Sequence, residues 1–212
     1  MTELSIQIDA WNDGELIPSR FAFCKLGEPV EMTNNINPAV SWSGAPEGTQ
    51  SFVFLVTDPD VPSAADDVNA TDREVPSDLP RVDFYHWVLA DLSAGTTGIA
   101  EGAASNGVTA GGKSIGESLG GVTGANDYTG WFAGDPEMGG TYGSYDGPCP
   151  PWNDSIMHHY NFEVFALDVE SIGLAAADMT GAAVREAMDG HVLASARHVG
   201  IYSLNPRVLD AS

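Results

Sequence analysis

The sequence predicts an antiparallel β-sandwich made from one chain-long domain, residues 1–212. Three observations carry this. Apolar runs are short, alternate or stand as compact blocks, and end at turn residues. Helical periodicity is scarce. The spaced strands are joined by irregular loops rather than by helix-length crossovers. The length suits one domain, and neither a fixed-period repeat nor a composition break divides it.

Leu4–Ile8 (LSIQI) alternates and predicts a strand, with Arg20–Phe23 as a further candidate. Ala39–Trp42 lies between the turn signals Asn37-Pro38 and Ser43-Gly44. Ser51–Thr57 (SFVFLVT) is continuously apolar, as a buried central strand must be. Phe84–Leu92 and His159–Leu167 are two more strands, both rich in aromatics. A last strand is expected near His198–Leu204. One helix is expected after Thr180, a good N-cap, across Ala182–Met188, with Gly190 as its stop. A second short helical piece is expected near His191–Ala196. Two loops are long, Pro59–Asp83 and Glu101–Pro151, and the second holds 14 of the 24 glycines. Long ordered loops in a small domain usually serve function.

Lys+Arg number 8 against 30 Asp+Glu, a formal charge of -22. Such a surface repels nucleic-acid phosphates and anionic membranes. The acids are dispersed rather than gathered in a tail, which fits a protein working in very high salt, where ions screen self-repulsion to within ~3 Å at 1 M. Cys24 and Cys149 are too few for a disulfide framework. No leader-like segment or membrane-length apolar run is seen, so a cytoplasmic location is expected. The sequons at Asn69 and Asn153 would matter only in a secreted protein.

Two motifs in the glycine-rich region are set aside. Gly107–Ser114 (GVTAGGKS) matches a phosphate loop, but no buried strand precedes it and the glycines after it oppose a helix. An irregular loop is expected there. Gly116–Gly120 (GESLG) matches a nucleophile elbow around Ser118, without the strand–turn–helix that exposes such a serine.

A different constellation carries weight. Asp58-Pro59-Asp60-Val61-Pro62 follows the apolar strand directly. Tyr85-His86-Trp87 lies in the next strand. Gly147-Pro148-Cys149-Pro150-Pro151 precedes His158-His159-Tyr160 at the head of another. Carboxylates, histidines and a tyrosine would then converge at one sheet edge, with prolines stiffening the walls. These segments resemble the hallmarks DPDxP, histidine–aromatic, GPCPP and H-x-Y of the phosphatidylethanolamine-binding, or Raf kinase inhibitor-like, family. The resemblance runs from about residue 18 to 206 and is best in the bacterial and archaeal branch.

The resemblance implies a β-sandwich with Greek-key connections and a small anion pocket. It implies ligand-binding roles for Asp58, Asp60, His86, Pro148, Cys149, Pro150, Pro151, His158 and Tyr160, and a cis bond at Asp58-Pro59. His159 stands where the family commonly has arginine, which weakens charge-assisted phosphate recognition. The longer stretches around 63–83 and 103–139 are expected to lid the pocket or to make an oligomer contact.

The expected function is a small-ligand binding module for an anionic or zwitterionic phosphate-type ligand. Histidine donors and a tyrosine hydroxyl suit an oxyanion, and an aspartate can orient a histidine or accept from an ammonium. Histidines facing an anion predict affinity that falls as pH rises. An inhibitor or signalling partner working through the pocket rim is the rival. A weak hydrolase is third, with a Cys149–histidine nucleophile as one route. No cofactor or metal is expected, because no recognised ligand spacing appears. Neither nucleic acid nor stable membrane insertion is expected; a homodimer or protein partner is left open.

Overall fold

The computed structural model describes residues 3–211. Its strands, in chain order, are β1 (Ser5–Gln7), β2 (Glu15–Leu16), β3 (Cys24–Leu26), β4 (Val30–Met32), β5 (Val40–Ser43) and β6 (Ser51–Pro62). They continue with β7 (Arg81–Ser93), β8 (Gly98–Ile99), β9 (Gly116–Ser118), β10 (Gly121–Thr123), β11 (His158–Leu167) and β12 (Val192–Tyr202). The α-helices are α1 (Tyr128–Trp131), α2 (Gly181–Ala187) and α3 (Pro206–Leu209).

A seven-stranded sheet, ordered β2-β12-β11-β6-β7-β10-β9, forms one layer. A three-stranded sheet, β1-β5-β8, packs on one of its faces, and β3-β4 stand apart as a hairpin. The central strand β6 is buried on both faces, which is why Ser51–Thr57 reads as an unbroken apolar run. Phe52, Phe54 and Val56 face the inter-sheet core, and Val53 and Leu55 face the other side, beneath α2. Trp42 of β5 closes the sandwich, its ring centroid 5.7 Å from that of Phe52 and 6.1 Å from that of Phe54.

Four local expectations are corrected. Arg20–Phe23 is not a strand: Ser19–Phe21 is a 3₁₀ turn that drives Phe21 into the core. His191–Ala196 is not helical, because β12 already begins at Val192 and Ala194 and Ala196 pair with Ala166 and Val164. Asp58-Pro59 is trans, since β6 runs straight through it to Pro62 and a trans bond keeps the path extended; the cis bond is Glu28-Pro29. Cys24 and Cys149 form a disulfide across 125 residues, Cα atoms 5.1 Å apart. The helix after Thr180 lies where expected, its hydroxyl accepting the Ala183 N–H at 3.3 Å.

Candidate functional site

Strand alternation does most of the positioning. Asp58 continues the face of Phe52, Phe54 and Val56 on β6, and Tyr160 and His158 continue the face of Phe162 and Val164 on β11. β6 pairs with both β11 and β7, so these residues meet at one end of the sheet. His86 arrives by a bulge: Val56 pairs with Trp87 and Thr57 with Tyr85, leaving His86 as the extra residue. A bulge beside a site re-aims a side chain in this way. The β6–β7 ladder lapses again between Asp58 and Val61, where Pro59 has no N–H to give.

A cavity of about 320 Å³ opens over this sheet end. Asp58, Phe84, His86 and Tyr160 form its floor. The β3–β4 hairpin supplies Val30 and Met32, and the disulfide itself is part of the wall with Pro150 and Pro151. Both long loops contribute: Ala65, Val68 and Asn69 from the first, Tyr128, Trp131 and Phe132 from the second. Among the described residues no Lys or Arg lines it.

His158 lies behind the floor rather than in it. Its Nδ1 donates to Asp58 at 2.7 Å and its Nε2 to Asp154 at 3.1 Å. Asp154 in turn takes both arms of Arg81, at 2.6 and 3.1 Å. Burial alone would hold His158 neutral, but Asp58 and Asp154 outweigh it and raise its pKa to about 9. Asp58, His158, Asp154 and Arg81 thus form a buried chain of alternating charge, and the floor carboxylate is compensated from below. With both nitrogens committed, His158 has no donor for a ligand, contrary to the direct contact the motif implies.

His86 is the opposite case. Its Nδ1 donates to the Asp146 carbonyl at 2.7 Å. Burial lowers its pKa, more than Asp58 and its carbonyl contacts raise it. A neutral ring with hydrogen on Nδ1 leaves Nε2 as an acceptor. The Tyr160 hydroxyl is buried and makes no hydrogen bond of good geometry, with the Asp58 carboxylate at the margin of its reach. Burial and the neighbouring Asp58 charge raise its pKa well above the ordinary phenol range, so it stays a donor.

Of the other motif residues, Cys149, Pro150 and Pro151 line the cavity. Pro148 acts through its carbonyl, which accepts the Phe23 and Cys24 N–H groups. Asp60 turns outward, its carboxylate accepting from the His159 N–H and Nδ1, both at 2.8 Å. The aromatic wall at 128–132 escaped sequence reading, although the run YTGWF was a signal inside a glycine-rich stretch. Arg81 and Asp154 escaped it too, because a loop residue finds its ion-pair partner 73 positions away only in three dimensions.

The phosphatidylethanolamine-binding protein model matches residues 7–203. The chain belongs to the phosphatidylethanolamine-binding protein family. A UPF0098 protein of Methanothermobacter thermautotrophicus is 32% identical over 202 residues, covering 94% of this chain and 98% of that one. The crystal structure of Escherichia coli YbcL, described as a member of the mammalian family, is 26% identical with a TM-score of 0.67, covering 95% and 98%. The homologue CT736 of Chlamydia trachomatis is 25% identical with a TM-score of 0.65, covering 96% and 99%. Family membership makes this chain a small-ligand binding fold. No helix among the described residues is long and apolar enough to cross a membrane.

Proposed function

We propose that the cavity holds a small amphiphile with a compact zwitterionic phospho-headgroup of the phosphoethanolamine kind. The observation that carries this is the buried Tyr160 hydroxyl, without a well-formed hydrogen bond, beside Asp58 and His86 at the bottom of an otherwise apolar cavity. A buried hydroxyl left wholly unpaired costs about 1–3 kcal/mol, and a ligand oxygen would give this poorly satisfied one a better acceptor. Asp58 and His86 Nε2 are acceptors and Tyr160 is a donor, so the floor matches a head that carries both an ammonium and an oxyanion. The walls at Phe84, Trp131, Phe132 and Val30 suit an aliphatic or aryl body. The names of the family and its structural relatives support the same class.

A bare anion fits less well, since no fixed cation lines the cavity. Anion binding would draw a proton onto His86, whose free pKa lies below 6.5. Phosphate affinity should therefore rise as pH falls toward that value. His158 stays charged up to about pH 9 and adds nothing to the profile at neutral pH. The Cys149 route to hydrolysis is closed, since that sulfur is tied in the disulfide. The rim-acting inhibitor draws on Met32 and Trp131, 59% and 50% exposed; a saturable titration without any partner separates it from ligand binding. The expected cytoplasmic location meets one opposing observation, since disulfides persist chiefly in oxidising compartments.

Calorimetry with phosphorylethanolamine and inorganic phosphate tests the reading. Saturable binding of phosphorylethanolamine, tighter than phosphate and weakened by Tyr160→Phe, is expected. Equal affinity for both ions would contradict the ammonium contact at Asp58.

A further inference from the structure

We propose that Lys113 is a positioning residue for the cavity, acting through Asp146 to keep the His86 proton on Nδ1. Lys113 lies outside the cavity, in the loop that imitates a phosphate-binding motif. Its Nζ donates to Asp146 Oδ1 at 2.6 Å. The same carboxylate accepts from Asn35 Nδ2 at 2.7 Å and from Asn126 Nδ2 at 2.9 Å. The Asp146 side chain is fully buried, and that of Lys113 is only 16% exposed.

The main chain of Asp146 brackets His86. Its N–H donates to the His86 carbonyl at 3.0 Å, and its own carbonyl accepts from His86 Nδ1 at 2.7 Å. A carbonyl oxygen can only accept, so Nδ1 must carry hydrogen, and in the neutral ring Nε2 is then the nitrogen without one. The placement of Asp146 thus decides which face of the imidazole chemistry a ligand meets.

Asp146 needs a cation to stay where it is. A buried carboxylate without one is neutralised or displaced. Among the described residues the cation paired with it is Lys113, and the glycines around that lysine are what bring it there. Gly112 has φ +83, and a Cβ on it would lie 2.2 Å from the Thr141 carbonyl oxygen. A Cβ on Gly143 would lie 2.4 Å from that of Ser114. The segments 111–114 and 140–143 therefore touch backbone to backbone, sealed by the Gly143 N–H donating to the Lys113 carbonyl at 2.7 Å. The glycine–lysine pattern delivers an internal counter-ion rather than a cradle for phosphate.

The affinity consequence rests on the ligand reading above; the proton placement does not. The test is nitrogen-15 NMR of the His86 ring at pH 7.5 in the wild type, Lys113→Gln, Lys113→Met and Lys113→Arg. Calorimetry with phosphorylethanolamine at fixed ionic strength accompanies it. The wild type and Lys113→Arg should hold hydrogen on Nδ1. The neutral variants should show a mixture of tautomers and bind about tenfold more weakly, the low end of the loss seen when the partner orienting a metal-bound histidine is removed. A folded Lys113→Gln with His86 still fixed on Nδ1 overturns the proposal, whatever its affinity. Failure of both neutral variants to fold assigns Lys113 to stability alone and overturns it too. A wild type that ignores phosphorylethanolamine while the tautomers shift as expected sinks the headgroup reading and leaves the role of Lys113 standing.

Discussion

Two histidines from one motif set end in opposite charge states, and their neighbours decide which. His158, between Asp58 and Asp154, has its pKa raised to about 9, against ~6.5 in an unfolded chain. The folded state holds that proton more tightly, so the stabilisation is complete below pH ~6.5 and is lost as pH rises through about 9. It is worth about 3 kcal/mol. Denaturant midpoints at pH 6 and pH 9.5 should show that loss; a flat profile would contradict the charged ring. His86 has the opposite sign: its lowered pKa makes the fold less stable as pH falls below 6.5. Tyr160→Phe separates stability from function. Removing a hydroxyl whose hydrogen bond to Asp58 is marginal at best should leave the unligated protein within about 1 kcal/mol of the wild type, yet weaken phosphorylethanolamine binding about tenfold. A variant less stable by ~2 kcal/mol would mean that the hydroxyl is bonded in the fold. Asp58, His86 and Tyr160 were legible because DPDVP, the histidine–tryptophan pair and HHY stand in the order and strand context of a known family's hallmarks. That His158 is the counter-ion of Asp58 was not, since the deciding partner, Asp154, stands in the following loop and carries no pattern of its own.

Strands with two buried faces announce themselves, and strands with two wet faces do not. β6 was plain in the sequence. The first half of β12 was not, since Val192–Ala196 is exposed or half-buried throughout and its Leu and Ala also suit a helix. The hairpin β3–β4 and the three-residue strands β9 and β10 are held by partners rather than by periodicity. One buried side chain makes four of the hydrogen bonds that order the loop over 63–80. Asn153 Nδ2 donates to the carbonyls of Asp67 and Arg73 at 2.8 Å and of Ala70 at 3.2 Å, and its Oδ1 accepts the Asn69 N–H at 2.8 Å. Asn153→Ala should cost about 1–3 kcal/mol and open residues 63–80 to limited proteolysis; an unchanged digestion pattern would contradict the staple. The same bonds occupy the amide of the Asn153 sequon, so the folded chain does not present it. The disulfide closes a loop of 125 residues. Cys24→Ala with Cys149→Ala should therefore cost about 2–5 kcal/mol, read as a lower denaturant midpoint that added reductant does not lower further.

At the scale of the molecule, a charge of -22 must be reconciled with a compact fold. Its few cations are spent with care: Arg81 and Lys113 each neutralise a buried aspartate. The remaining acids repel one another over a Debye length of ~30 Å at 0.01 M salt but only ~3 Å at 1 M. Stability should climb with salt, most steeply below 0.5 M, and a midpoint independent of salt would remove the high-salt reading. The fold class, the sheet core and the cavity floor all follow from motifs and alternation. The cavity's outer walls and the two buried ion networks depend on contacts between distant loops. The most direct measurement of the central claim is an NMR-monitored titration of the wild-type protein with phosphorylethanolamine at constant ionic strength. The account predicts saturable shifts confined to Tyr160, His86, Phe84 and the Trp131 indole, with Tyr160→Phe weakening them about tenfold. Shifts that fail to saturate, or that gather on a surface away from the cavity, would contradict it.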